Sequence, residues 1–128
     1  MAIAPIQGDC WEDGGSTNLS RVYGAAGAAI TQASLSTITY AVFDLQSATP
    51  DTSVDDGSVT ISTSVFDTLQ TDGIWTKDDT GYNFKHTIAA TVPSTANHVY
   101  RTEYLFTPVS GQPFWVVFEA LTKKVRTS

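Results

Sequence analysis

Histidine and cysteine, two residue types that often carry catalysis, are rare in this chain, and none of them has the spacing of a catalytic motif. There are two histidines and one cysteine. His86 falls on the apolar side of an alternating run, which favours a hydrogen-bonded histidine in the core or at a sheet edge. His98 stands beside a turn, where we expect a surface position. Neither histidine has the partner spacing of a zinc-binding helix or a nearby nucleophile elbow. Cys10 has no histidine near it in the sequence, so we expect no nucleophilic role. The sequence predicts a protein that is not an enzyme.

The carboxylates lie where the sequence has turn composition. They form two groups: Asp51, Asp55 and Asp56, and then Asp72, Asp78 and Asp79. Oxygen-rich loops bind calcium, but the spacing of an EF-hand is missing and turn propensity accounts for both groups. A single cysteine excludes an internal disulfide and a cysteine-based zinc site. We therefore expect no metal and no cofactor.

Length and charge limit the classes of partner. The chain has 128 residues, enough for one domain with its own hydrophobic core. It carries 7 basic and 13 acidic residues, a net charge of −6. An isoelectric point near 4.5 argues against nucleic-acid binding, which needs a basic surface. No apolar run approaches the roughly 20 residues of a membrane span, so we expect no membrane partner either.

Most of the chain alternates with the period of a β-strand. Runs rich in threonine, valine, isoleucine and aromatic residues are separated by turn residues. They predict about seven strands: 18–23, 36–44, 58–62, a run near Val65, 82–89, 98–107 and 114–122. A short helix is indicated only at Ser64–Asp67, where the sequence has a capping pattern. This pattern predicts an all-β fold, an immunoglobulin-like β-sandwich in which Tyr100 ties a corner to the following strand.

Three parts are predicted along the chain: an extended N-terminal arm at residues 1–16, the sandwich at 17–122 and a short basic tail at 123–128. The arm lacks strand or helix periodicity, yet it carries Ile3, Ile6 and Trp11. Two interpretations stay open with about equal weight: a solvated tail, or a clamp that lays these side chains on a neighbouring subunit. The tail contains Lys123, Lys124 and Arg126, a composition typical of a solvated end.

The last predicted strand is hydrophobic on both sides. Phe114, Val116 and Phe118 alternate with Trp115 and Val117. Such a strand is either central in its sheet or turns one side toward a partner. Together with the arm, this pattern predicts a protein interface that includes Ile3, Ile6, Trp11 and Trp115.

Three segments, Phe66–Trp75, Gly81–His86 and Tyr100–Pro108, resemble small immunoglobulin-like proteins encoded among the structural genes of tailed bacteriophages and prophages. The resemblance covers roughly Asn18 to Thr122 and brings no catalytic residues with it. It implies a structural protein of the virion, first of all a protein that decorates or cements the capsid. A neck or tail component is the second choice. The implied partners are other virion structural proteins, including further copies of the same chain.

A different class of function also fits the sequence. Exposed aromatic residues on a small β-sandwich are suited to binding sugars, so a carbohydrate-binding adhesion module is the alternative. Trp75 and Tyr82 are the aromatic residues expected to form such a surface. A shallow aromatic groove would favour this function, whereas repeated contacts between subunits would favour assembly.

Overall fold

The computed structural model describes residues 6–11 by their backbone and residues 16–24, 27–89, 92 and 95–124 in full. This part of the chain forms eight strands and a single helical turn. The elements are β1 (Ile6–Trp11), β2 (Ser16–Ser20), β3 (Leu35–Asp44), β4 (Ser53–Ser58), α1 (Ile61–Ser64), β5 (Val65–Gln70), β6 (Tyr82–Ile88), β7 (Val99–Pro108) and β8 (Phe114–Lys123). The predicted all-β sandwich is confirmed.

The strands form two sheets that enclose the core. One sheet has five strands in the order β1-β8-β7-β3-β4, and the other has three in the order β2-β6-β5. All neighbouring strands are antiparallel except β1, which runs parallel to β8. Apart from β1, the orders match the immunoglobulin arrangement, in which strands B, E and D face strands G, F and C with an added C′.

Aromatic residues dominate the core between the sheets. Phe84 of β6 and Tyr104 and Phe106 of β7 have no exposed surface. The Phe84 ring lies edge-on to both partners, with centroid distances of 5.0 Å to Tyr104 and 5.1 Å to Phe106. Edge-to-face contacts of this kind add to the free energy gained by burying aromatic surface. The core therefore joins the two sheets through the alternate residues that the sequence pattern identified.

The corner before β7 has the predicted tyrosine. The Tyr100 hydroxyl accepts a hydrogen bond of 3.1 Å from the backbone N–H of Thr95. The ring is buried, so the hydroxyl holds the connection from the three-stranded sheet against the start of β7. The prediction of a tyrosine corner at Tyr100 is confirmed by this contact.

The stretch between β3 and β5 differs from its prediction. We expected a strand at 58–62 and a helical turn at Ser64–Asp67, but β4 ends at Ser58 and the helical turn precedes β5. Val59 is buried, and its N–H donates to the Ile38 carbonyl oxygen at 2.8 Å. The chain is thereby drawn into the core immediately after β4, and the helical turn begins at Ile61. Alternation over Val59 and Ile61 resembled a strand because both residues contact the core.

The N-terminal segment differs most from its prediction. Residues 6–11, which we placed in an arm outside the sandwich, form β1 and extend the five-stranded sheet. Their register runs from Ile6 opposite Phe118 to Trp11 opposite Lys123. Ile3 lies outside the described residues. At the other end β8 reaches Lys123, the first residue of the predicted tail, and residues 125–128 also lie outside the described part.

Candidate functional site

The outer face of the five-stranded sheet is defined by the alternation of β7. Tyr100, Thr102, Tyr104 and Phe106 are buried between the sheets. The residues between them therefore face away from the core, and so do their partners in the adjacent strands. We call this surface the outer face; its members on β7 and β8 are Val99, Arg101, Glu103, Leu105, Trp115, Val117, Glu119 and Leu121.

Large apolar side chains are exposed on the outer face. Trp115 is 47% exposed and pairs across the strands with Leu105, which is half-buried. Leu121 is 41% exposed and pairs with Val99 in the same way. β8 lies between β1 and β7, so it is an inner strand of its sheet and also exposes a tryptophan to solvent. These two apolar pairs lie at opposite ends of the outer face. Large apolar side chains left in water are typical of a surface that contacts another protein.

Charged residues cross the middle of the outer face. The Arg101 Nε donates to Glu103 Oε2 at 2.9 Å, and the Arg101 NH1 lies 3.4 Å from Glu119 Oε2. All three side chains are partly exposed, so the pairs contribute little to folding stability while water screens them. They hold the guanidinium in place between the two apolar pairs. Arginine and tryptophan are the residue types most enriched among those that dominate binding energy.

A recess adjoins this arginine. It has a volume of about 310 Å³, and it is lined by Phe43, Leu45, Pro50, Asp51, Arg101 and Glu103. Its walls come from the end of β3, the connection to β4 and the middle of β7. The outer face thus combines two exposed apolar pairs, a fixed charge cluster and a depression that a partner side chain can enter.

The opposite surface of the sandwich has a different composition. On the three-stranded sheet, the residues that alternate with the core include Thr17, Leu19, Lys85 and Thr87. The hydroxyl groups of Thr17 and Thr87 share a hydrogen bond of 3.2 Å across the strands. This part of the surface is mainly polar, although β5 of the same sheet exposes Leu69 at 39%. The exposed Trp115 and the Arg101 cluster are on the five-stranded sheet.

A second recess lies at the end of the sandwich where β8 begins. Its volume is about 420 Å³, and its lining residues are Gly24, Ala28, Ala29, Ile30, Ser34, Leu35, Pro108, Ser110, Gly111, Gln112 and Phe114. None of these side chains is charged. The Phe114 ring stacks on Phe106 at 5.1 Å, so the recess reaches down to the core.

His86 belongs to a polar cluster between the sheets. Its Nδ1 lies 2.8 Å from the Tyr104 hydroxyl, which also accepts a hydrogen bond of 2.9 Å from Asn18 Nδ2. With Asn18 donating, the Tyr104 O–H donates to a neutral His86. Burial lowers the pKa of His86, and the nearby Asp55 carboxylate opposes that shift. The prediction of a hydrogen-bonded sheet histidine is confirmed, and the contact with Tyr104 gives it a structural role.

His98 is less exposed than we expected. Its Nδ1 lies 2.8 Å from both carboxylate oxygens of Asp44, which is buried at the end of β3. A histidine paired with a carboxylate is one part of a catalytic triad. Among the described residues, however, no hydroxyl or thiol is hydrogen-bonded to this imidazole. The pair fastens the start of β7 to β3.

The aromatic surface expected for sugar binding is different in the structure. Tyr82 is only 1% exposed, so its expected role as an exposed sugar platform is wrong. Burial raises the pKa of Tyr82 to about 12, and its hydroxyl donates to Asp72 at 2.8 Å. Trp75 is half-buried, packs against the Tyr82 ring at 5.7 Å and donates its indole N–H to Asp78.

Asp78 organises the connection between β5 and β6. Its carboxylate accepts hydrogen bonds from the Trp75 indole, from the backbone N–H groups of Thr80 and Gly81, and from Arg21. These donors, the indole first, hold the pKa of Asp78 far below its usual range. The carboxylate thus accepts its hydrogen bonds from protein donors, including two backbone N–H groups of the turn that follows it.

The structure separates the predicted interface residues. Trp115 lies on the outer face, whereas Ile6 and Trp11 lie at the two ends of β1, with Trp11 opposite Lys123 at the edge of the sheet. Sequence reasoning did not assign Arg101 and Leu105 to the interface. Their alternation with the buried β7 residues was the signal that could have placed them there.

Two kinds of site do not occur in the described residues. In that part of the chain, no group of three or more His, Cys, Asp or Glu residues is arranged to hold a metal ion. The described helical turn is far too short to cross a membrane, and no longer helix occurs in the same residues.

Comparisons of the chain with protein-family models, curated proteins and solved structures found no match.

Proposed function

We propose that this chain is a non-enzymatic structural protein of a bacteriophage virion that attaches to neighbouring subunits through the outer face. Decoration or cementing of the capsid is the first choice, and a neck or tail position is the second. The observation that carries the proposal is the exposure of Trp115 beside Leu105, on the side of the sandwich that also carries the Arg101 cluster. The resemblance of three segments to phage structural proteins supplies the biological setting.

Attachment to another protein accounts for the exposed residues of the outer face. Catalysis accounts less well for any group among the described residues. The half-buried imidazoles, His86 and His98, are each held by an internal partner and stabilise the sandwich. Trp115 has no such structural duty, because its neighbours on the outer face leave about half of its surface in water. A partner that covers Trp115 would gain about 25 cal/mol for each Å² of apolar surface removed from water.

The position in the particle is tested by locating the chain in purified virions of the phage that encodes it. Gold-labelled antibody against the chain should bind over the head, and quantitative mass spectrometry should give a copy number that scales with the capsid subunits. Label at one vertex or along the tail, with a low copy number, would favour the neck or tail alternative. Absence of the chain from purified virions would overturn the proposal.

A carbohydrate-binding module remains the alternative from another class, and it now depends on Trp75. This indole is partly exposed, and it is held rigidly by its hydrogen bond to Asp78, as a stacking platform requires. Binding to immobilised glycans that is lost in Trp75→Ala and kept in Trp115→Ala would favour this function over assembly.

A further inference from the structure

We propose that the β8 edge exchanges its partner strand between copies, so that β1 of one chain pairs with β8 of another. The proposal deepens the proposed function and rests on it for the setting in which many copies lie side by side. The surface it identifies is the edge of β8 from Phe118 to Lys123, and the partner is the Ile6–Trp11 strand of a second copy.

β1 is attached to its sheet by a single ladder. Among the described elements, β8 is the one with which β1 shares extensive backbone contact. The pairing is parallel, so no hairpin joins the two strands, and they lie more than a hundred residues apart in the chain. Along the chain β1 is instead followed by β2, which belongs to the other sheet. Detaching β1 therefore leaves every other described strand pair in place.

Both the sequence of β1 and its place in the sheet favour a strand that detaches easily. It has six residues, and Gly8 and Asp9 in its centre are of types that are depleted in strands. It also lies at the edge of the sheet, with a neighbour on one side only among the described strands. Edge segments with few partners open locally at a lower free-energy cost than the centre of a sheet.

The edge that β1 covers has to be occupied. Phe118 of β8 is 6% exposed and packs against Tyr104 in the core, and Thr122 is fully buried, so the strand that β1 pairs with is part of the wall of the core. Without a neighbour, β8 would also present unpaired backbone N–H and C=O groups to water, a known hazard for aggregation. The β8 edge is therefore complementary to a strand that pairs in the register of β1, whether that strand comes from the same chain or from another.

Exchange is close to neutral in contact energy. A strand from a second copy makes the same six register pairs that the chain's own strand makes. Two concentrations decide which strand occupies the β8 edge. One is the effective concentration of the chain's own tethered strand, which is of millimolar order for short linkers, and the other is the local concentration of other copies. A dilute protein should keep its own strand, and copies crowded on a particle should exchange.

The register provides a direct test because Cys10 lies opposite Thr122. Adjacent strands are about 4.8 Å apart, which is within the Cα separation that a disulfide accepts. The first variant is Thr122→Cys, which should form an intrachain disulfide on oxidation. The second combines Cys10→Ser with Thr122→Cys and carries a mass tag, so it can form this bond only with Cys10 of an untagged wild-type chain.

We expect the tagged variant and the wild-type chain, mixed and oxidised, to give a covalent heterodimer that joins Cys10 of the wild-type chain to the introduced thiol. Its yield should rise with total concentration and with warming toward the melting temperature. The matched control is Cys10→Ser with Leu121→Cys, whose new thiol is more exposed but lies on the other side of the strand. It should give little heterodimer if pairing, rather than random collision, brings the thiols together.

An intrachain disulfide in Thr122→Cys without any heterodimer up to millimolar concentration would overturn the exchange. Equal heterodimer yields from the tagged Thr122→Cys variant and its Leu121→Cys control would do the same. If Thr122→Cys does not fold, Gly8→Cys and Ala120→Cys supply the same test at another register pair, in a Cys10→Ser background. All measurements use purified protein without particles, so their failure leaves the proposed virion role standing.

Discussion

The Tyr104 hydroxyl is a buried polar group that connects the two sheets. It is completely buried and bonded to both Asn18 and His86, which belong to the opposite sheet. Burial raises the pKa of Tyr104 well above its usual range, so the group is neutral and can donate. The two sheets are therefore joined by two hydrogen bonds as well as by apolar contact.

We predict that Tyr104→Phe lowers the free energy of unfolding by about 1–3 kcal/mol, the cost of leaving buried polar partners unsatisfied. Urea titration followed by tryptophan fluorescence measures the change. Tyr23→Phe is the control, because Tyr23 is 50% exposed and its loss of a hydroxyl should change stability very little. A Tyr104→Phe variant as stable as the wild-type protein would show that the cluster has no energetic role.

His86 should make the stability depend on pH in the mildly acidic range. Its pKa is lowered by burial in the folded state, so the unfolded chain binds the proton more readily. The stabilising contribution is therefore complete above the unfolded pKa of about 6.5 and is lost as the pH falls toward the folded value. Melting temperatures measured from pH 8 to pH 5 should decline, and His86→Gln should decline less. Identical profiles for the two proteins would contradict this assignment.

The role of a single residue could be predicted only where its neighbours in the sequence indicate that role. His86 was identified by alternation and Tyr100 by its place at a corner. The Asn18 amide and Tyr104 hydroxyl lie 86 residues apart, and no spacing in the sequence joins them. The same is true of His98 and Asp44, which meet because β3 and β7 are neighbours in the folded sheet.

At the scale of elements, residues 6–11 of the N-terminal segment are a strand of the sheet and not part of an arm. The segment contributes a strand that covers the β8 edge, whereas an arm outside the sandwich would leave the domain unaffected when removed. We predict that deleting residues 1–11 lowers the melting temperature, because it leaves the backbone of β8 from Phe118 to Lys123 without its partner strand. Calorimetry of the shortened and complete chains measures the effect. An unchanged melting temperature would restore the interpretation as an arm.

Alternation predicted β3, β6, β7 and β8 because each has one face on the core and one toward water. β1 has no such alternation, and its partner strand is at the far end of the sequence, so local pattern could not place it. The 58–62 prediction failed for a different reason. Val59 and Ile61 both contact the core, one on leaving β4 and the other in the helical turn, and they imitated a strand.

At the scale of the whole molecule, the two surfaces of the sandwich differ in chemistry. The three-stranded sheet is mainly polar over β2 and β6 and exposes Leu69 on β5, whereas the five-stranded sheet exposes Trp115 and Leu121 on either side of the Arg101 cluster. We propose that the face with the exposed tryptophan and the arginine cluster is the one that attaches, and that the three-stranded sheet stays in water. Sequence reasoning found Trp115 but did not place the residues around it, because the outer face is assembled from neighbouring strands.

The central claim is that the outer face binds the particle, and a titration onto particles from a phage lacking this gene tests it most directly. We predict that Trp115→Ala weakens binding by about 2 kcal/mol or more, roughly 30-fold in affinity, while the free domain melts as before. The matched control is Ile74→Ala, because Ile74 is similarly exposed at 50% but lies in the connection between β5 and β6. It should bind like the wild-type chain. Wild-type affinity in Trp115→Ala, or an equal loss in Ile74→Ala, would contradict the claim.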